Sequence, residues 1–200
     1  MDPLFRIALC LAASLLPCTA ELDMDRGVNI GVEKGCGANW DVDRAQTVAA
    51  QIFAAIGVKI HWVKYQDTAA GSPGDAILVN LNTRTPPDFY PGALGFSQPF
   101  EGIHATVFYD RVRASVEPAH VSSLLGHALA HEIGHLLEGT DHHSSSGVMK
   151  ARWENRDYAQ MFWKPLPFTD FDVLLIRRGV DERPARLAAR PIYSARRFPR

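Results

Sequence analysis

His131-Glu132-Ile133-Gly134-His135 sets two imidazoles four residues apart with a carboxylate between them. On a helix, positions i and i+4 lie one turn apart on one face, so His131 and His135 can grip a single metal ion. Glu132 falls about 100° around the helix from His131, beside such an ion and not on it. A general base that takes a proton from water stands in that place. Zinc suits the pair, because imidazole is among its preferred ligands and it brings no redox chemistry. Bound zinc lowers the pKa of water to about 7 and polarises a carbonyl. A bare HExxH can arise by chance in any helical protein. Here the flanking Leu129-Ala130 and Leu136-Leu137, the following Gly139, and the cluster Asp141-His142-His143 argue for a site. His127 stands one turn before His131. Histidines at i, i+4 and i+8 span about 12 Å along the axis, too far to close on one ion, so His127 is expected in the pocket wall or behind the ligands.

The third ligand must come from beyond Gly139, where the chain turns back. In the compact motif HExxHxxGxxH the glycine falls three residues after the second histidine. Here that position is Glu138, and Gly139 is one residue late. Counting from the glycine selects His142, while counting from His135 selects Asp141. His143 lies one further on.

The elements that must position these groups are legible in outline. Val28 to Val32 alternates as a strand. Gly35-Cys36-Gly37 reads as a turn, and Asp41 or Asp43 as the cap of a helix reaching about Ile56 and ended by Gly57. Val58, Ile60 and Trp62 mark a second strand. Gly71-Ser72-Pro73-Gly74 marks a loop, and Ala76 to Leu81 a third strand apolar enough to be buried on both faces. After the irregular Pro86-Pro87 and Pro91-Gly92 connection come a short segment, Ala93 to Ser97, and a strand from Ile103 to Tyr109. A long helix is predicted from Pro118 to Glu138, with Gly139 just past its end. A polar loop should follow. Thr169 then caps a last helix in which Phe171, Leu174 and Leu175 pack inward, closing near Gly179. The order implies an α+β domain: a small mixed sheet packed on an N-terminal helix and a long active-site helix, with a C-terminal helix.

Length and composition suit one such domain: 200 residues, 46% hydrophobic and 22% charged, enough to bury a core without disulfide staples. A formal net charge of -1 gives no global case for nucleic acid. Arginines crowd the end of the chain (Arg177, Arg178, Arg183, Arg186 and others), which reads as a solvated Arg/Pro-rich tail over 181–200. Residues 1–20 read as an export signal: Arg6, the apolar run Ile7 to Leu16, Pro17, then Cys18-Thr19-Ala20 before Glu21. That run is shorter than the roughly 20 apolar residues a bilayer span takes, so no stable membrane insertion is expected. Cleavage after Ala20 would give a secreted or periplasmic domain over 21–180, with Cys36 as a lone, incidental thiol.

The segment from His131 to Leu137, the late Gly139 and Ser146-Gly147-Val148-Met149 resemble metzincin-type zinc peptidases with a lengthened turn. From Ala130 to Trp153 the chain resembles more closely a group of small secreted bacterial zincin-like proteins. Those carry one histidine four residues after the glycine, ahead of a Ser-Gly-Ile-Met-like stretch, and that register is His143. The resemblance covers about Ile103 to Trp153 and is only topological before it. It implies His131, His135 and His143 as ligands of Zn(2+), with His142 and then Asp141 as alternatives, and Met149 as the Met-turn residue under the metal. A gluzincin-like arrangement with Glu154 as a distant ligand leaves the His142-His143 pair without a role and ranks last. The family also implies an edge strand that pairs extended substrate through its backbone, for which Ala93, Leu94, Gly95 and Phe96 are the candidates. Tyr109, Trp153 and Tyr158 are candidates to line the cleft. The resulting expectation is zinc-dependent hydrolysis of a peptide or protein substrate with Glu132 as base. A zinc amide hydrolase acting on cell-wall peptide and a non-catalytic zinc-containing binding module are the rivals. The intact Glu132 speaks against the binding module, because a purely structural site does not need that carboxylate and is usually closed by four protein ligands.

Overall fold

Val28, Ile30 and Val32 alternate with Asn29 and Gly31, and they form strand β1 (Gly27–Glu33) with those apolar side chains buried. The computed structural model describes residues 26–33, 39–65 and 75–189. The expected export signal at 1–20, the Gly35-Cys36-Gly37 turn, the Gly71 to Gly74 loop and the chain after 189 lie outside the described residues. The other strands are β2 (Lys59–Lys64), β3 (Ile77–Asn82), β4 (Gly95–Ser97) and β5 (His104–Phe108). They make one five-stranded sheet in the order β2-β1-β3-β5-β4. Three pairings are parallel, with Val28 beside Ile60, Val32 beside Val79, and Val79 beside Ala105. Among the described strands only β4 runs antiparallel, with Phe96 opposite Thr106, and it forms an edge of the sheet. The mixed sheet, N-terminal helix and long helix follow the expected architecture. β3 buries Ile77, Val79 and Leu81 fully, whereas Leu78 is only half-buried and lies outside the core cluster, so the strand is not buried on both faces.

Helix α1 (Asn39–Ala54) starts earlier than a cap at Asp41 or Asp43 would allow. Asp41 is spent on tertiary contacts instead: its carboxylate accepts from Tyr109 Oη at 2.8 Å and Ser122 Oγ at 3.1 Å. Tyr109 is therefore a core residue, 6% exposed, and does not line the cleft. Burial, reinforced by the bond to Asp41, pushes its phenol up to about 12. The chain does not continue as a strand through Tyr109 but turns into helix α2 (Tyr109–Ser115). From α2, the Arg111 guanidinium donates to the carbonyls of Pro86, Phe89, Tyr90 and Ala93. One planar cation thus satisfies four backbone acceptors of a connection with no secondary structure of its own.

A single 3-10 turn at Pro118–His120 leads into helix α3 (Val121–Glu138). Leu124, Leu125, Leu129, Ile133, Leu136 and Leu137 of α3 are fully buried, each side chain worth roughly 1.5–3 kcal/mol of transfer free energy. Gly126 lets α1 approach, since a Cβ there would lie 2.6 Å from Val48 Cβ. The helix ends as predicted on Gly139, whose φ of 71° is left-handed.

Helix α4 (Asn155–Trp163) occupies what reads as a polar loop, and its start is fixed by a capping box between Glu154 and Asp157. Helix α5 (Asp170–Ala188) begins on the expected Thr169 cap, again with a capping box, to Asp172. Its inward face differs from the predicted one. Asp172, Ile176, Gly179, Val180 and Arg183 are buried, while Phe171 and Leu174 are 53% and 63% exposed. The cap sets this phase, because Asp172 turns in to accept from both the Thr169 amide and Ser144 Oγ. The helix also passes Gly179 and Pro184, so the expected flexible tail from 181 is ordered helix as far as Ala188. Three of its four arginines are fasteners: Arg177 donates to Ile56 O, Arg183 to Asp75 O and Gly102 O, and Arg186 to Leu137 O and Gly179 O, while the exposed Arg178 pairs with Glu182 one turn on. No helix among the described residues is long and apolar enough to cross a membrane.

Candidate metal centre

His131 and His135 project from one face of α3, and the chain after Gly139 folds back to bring His143 against them. Ring centroids are 4.7 Å apart for His131 and His135, 5.4 Å for His131 and His143, and 4.8 Å for His135 and His143. One ligating atom from each lies within 4.8 Å of the others, and no other group of His, Cys, Asp or Glu among the described residues closes in this way. His142 turns aside, edge-on to Phe171 at 5.2 Å. Asp141 lines the same cleft without joining the cluster. Glu154 is 75% exposed, pairs with Lys150 and caps α4. Of the candidates for the third position, the structure thus brings only His143 to the pair.

The residues fit a metal ion on grounds of proton placement. His131 Nδ1 lies 2.8 Å from Val148 O, and His135 Nδ1 lies 3.1 Å from Thr140 O. A carbonyl only accepts, so each Nδ1 carries its ring's proton and each Nε2 carries a lone pair. Those two Nε2 atoms face each other at 3.1 Å. Two lone pairs at that distance repel unless a cation lies between them. Tetrahedral zinc with Zn–N bonds of about 2.0–2.1 Å holds its nitrogens roughly 3.3 Å apart. Both rings are also kept neutral. Burial, aided by the neighbouring histidines, lowers His131 to about 3 and His135 to about 4. His143 is lowered in the same direction, again chiefly by burial.

The turn that carries His143 is held at several points. Ser144 N donates to Met149 O at 2.8 Å, Ser144 Oγ to Asp172 Oδ1 at 2.5 Å, and Val148 N to Pro167 O at 2.9 Å. Gly147 has a φ of 76° and accepts from Trp153 Nε1 at 3.2 Å. Met149 is fully buried directly beneath the motif, where a Cβ on Gly134 would lie 2.6 Å from its sulfur. Gly134 is thus small because Met149 fills the space under the helix. The Ser144–Asp172 clamp joins residues 28 apart, and nothing around Ser144 in the sequence points to it. Its signal was present in the Thr169-x-x-Asp172 spacing, which announces an aspartate turned back to its own helix start.

Glu132 is 6% exposed, and its carboxylate lies against β4, where a Cβ on Gly95 would sit 2.8 Å from Oε1. Burial pushes the Glu132 carboxyl up to about 8, opposed by a hydrogen bond with the Ser97 side chain. A cation beside it would pull the same group down. The cleft, about 470 Å³, is walled on one side by Tyr90 to Ser97 and on the other by Lys150 to Trp153 and Tyr158. Of the four edge-strand candidates, Gly95 and Phe96 are in β4, and Ala93 and Leu94 lead into it. Tyr90, at a φ of 45°, stacks on Phe96 at 5.1 Å and extends this wall. Trp153 stands edge-on to His131 at 5.6 Å, and Tyr158 lines the far wall.

His127 does not line the cleft. It is completely buried, with Nδ1 2.8 Å from Ser123 O and Nε2 accepting from the Leu166 amide at 3.0 Å. Both nitrogens therefore serve the backbone, and the neutral ring is required. Burial depresses its pKa from 6.5 to about 4. The unfolded chain accepts this proton at a higher pH than the folded one does. Stability is therefore whole above about pH 6.5 and is lost as pH falls toward 4, by roughly 3 kcal/mol for this residue. In metal-free protein, urea unfolding at pH 7.5 and pH 5 should show a smaller acid loss for His127→Gln than for the unmodified chain. An equal loss in both would remove His127 from the account.

No protein-family model matches the chain, and no curated protein matches it in sequence. Solved structures do match. Archaemetzincin from Methanopyrus kandleri aligns over 78% of this chain and 95% of its own, with a TM-score of 0.53 and 15% identity. Myroilysin aligns over 74% of this chain and 64% of its own, with a TM-score of 0.35 and 14% identity, too slight a likeness to argue from. At such identities the comparison speaks for architecture. The chain has the zincin-like fold, with a five-stranded mixed sheet, an edge strand beside the cleft, and a long helix carrying His131, Glu132 and His135.

Proposed function

We propose that this chain is a zinc-dependent hydrolase of peptide bonds. The reading rests on one observation: the three converging histidines, Glu132 and the edge strand β4 line a single open cleft. His131, His135 and His143 would hold the ion. Zinc bound there would acidify water and polarise the scissile carbonyl. The set of three histidines, with no fourth side chain converging among the described residues, suits catalysis better than a structural role, which usually takes four protein ligands. Glu132 takes the proton from the attacking water and returns it to the leaving amine. The edge of β4 aligns an extended peptide by adding it as a further strand. We extend the proposal to export of the domain, on the signal-like composition of residues 1–20.

Purified protein should carry close to one zinc per chain by elemental analysis and should digest casein. Treatment with 1,10-phenanthroline should abolish digestion, and added zinc should restore it. Protein that purifies without zinc and fails to bind it on titration would sink the reading.

A further inference from the structure

We infer that Ser97 is a positioning residue for Glu132, and that β4 thereby sets the base on the same two residues that meet the substrate. This rests on the hydrolase reading above, and it starts from the hydrogen-bond parity of the sheet edge. Phe108 N donates to Leu94 O at 2.8 Å, and Gln98 N donates to His104 O at 3.1 Å. With Phe96 opposite Thr106 in an antiparallel ladder, residues 94, 96 and 98 direct their backbone groups toward β5. The N–H and C=O of Gly95 and Ser97 therefore point the other way, along the open edge. These are the groups a strand-like substrate would pair with.

The same two residues enclose the carboxylate of Glu132. At Gly95 the missing side chain is the feature that matters: a Cβ would lie 2.8 Å from Glu132 Oε1 and 2.9 Å from its Cγ. It would also lie 2.7 Å from Thr106 O, which is backbone and has nowhere to go. Ser97 lies two residues further along β4, so its side chain leaves the strand on the same face as that Cβ position and, like Glu132, lines the cleft; there its hydroxyl bonds the Glu132 carboxyl. A carboxylate 6% exposed needs such a donor, because burial without one disfavours its charged form. Gly95 supplies the space and Ser97 the direction. A carboxylate on a flexible two-carbon stem is thus fixed against the strand at the cleft. Ser97 is not among the converging histidines and its bond is to Glu132, so it acts through Glu132.

The test combines turnover and unfolding for Ser97→Ala, Ser97→Thr, Glu132→Ala and the double variant Ser97→Ala/Glu132→Ala. With a quenched-fluorescent casein as probe, Ser97→Ala should lose roughly tenfold or more in kcat, the scale of one hydrogen bond to a charged group, with KM within about twofold. Ser97→Thr keeps the hydroxyl and should recover most of that loss. In guanidinium unfolding of metal-free protein, Ser97→Ala should lower the midpoint when Glu132 is present and leave it nearly unchanged when Glu132 is already alanine. Additive midpoints would overturn the contact. Coupled midpoints with unchanged kcat would overturn the positioning role and leave a structural bond. An unmodified enzyme inactive on casein would count against the hydrolase reading, while the unfolding cycle would still decide the Ser97–Glu132 contact by itself.

Discussion

Glu132→Gln should purify folded and zinc-loaded and should hydrolyse casein at least a thousandfold more slowly than the unmodified protein, within the range ascribed to a positioned general base, about 10²–10⁴. The substitution keeps the volume of the side chain. Gln Oε1 can still accept from Ser97, and the fit against the bare Cα of Gly95 is preserved. The histidines are untouched, and their Nδ1 bonds to Val148 O and Thr140 O do not involve position 132. Only proton affinity is lost: a neutral amide cannot take the proton from water. In metal-free protein stability should not fall, because burial drives this carboxyl up to about 8, so that at neutral pH folding disfavours the charge it carries in the unfolded chain, a cost the amide does not have. Metal content by elemental analysis, melting temperature and turnover together separate these effects. Turnover within tenfold of the unmodified protein would end the assignment of Glu132 as base. Loss of zinc would show that the carboxylate holds the site together instead of working in it.

Much of this centre was legible in the sequence, for identifiable reasons. His131, Glu132 and His135 are set by helical spacing, a local rule that needs no knowledge of the rest of the chain. The helix end at Gly139 is local too, since only a left-handed residue closes the turn there. The third ligand was not fixed by counting, which led to His142 or Asp141. His143 reaches the pair because the turn is shaped by distant groups: Asp172 on Ser144, Pro167 on Val148 and Trp153 on Gly147. The misread elements share a cause. Tyr109 looks like a continuing strand because its burial partner Asp41 is remote in sequence. Phe171 and Leu174 look like an inward face because their apolar character is conspicuous, whereas the phase of the helix is set by the cap that rotates Asp172 inward. Arg177, Arg183 and Arg186 of α5 look like a solvated tail because what they bind is backbone carbonyl, which no side-chain pattern advertises.

Gly179→Ala should destabilise the protein by about 3 kcal/mol or more, the scale of overpacking a rigid contact, and should weaken its hold on zinc. By local propensity the sign would be opposite, since alanine in place of glycine inside an exposed helix gains about 1 kcal/mol. Tertiary contact decides the case. At Gly179 helix α5 crosses the last turn of α3, and an added Cβ would overlap the carbonyl oxygen of Leu137. Backbone lies on both sides of that contact, so no side chain can rotate away and one helix must lift from the other. The carbonyls of Leu137 and Gly179 are also the two that Arg186 fastens, so the same displacement pulls on that bond. Asp172 sits two turns earlier on α5 and holds Ser144, the neighbour of His143. Lifting α5 therefore loosens the turn that brings the third histidine to His131 and His135. Thermal unfolding of metal-free protein should show the loss of stability. Competition with a chromogenic chelator should show at least tenfold weaker zinc binding. A melting temperature at or above that of the unmodified chain would mean that α3 and α5 are not in backbone contact at this crossing.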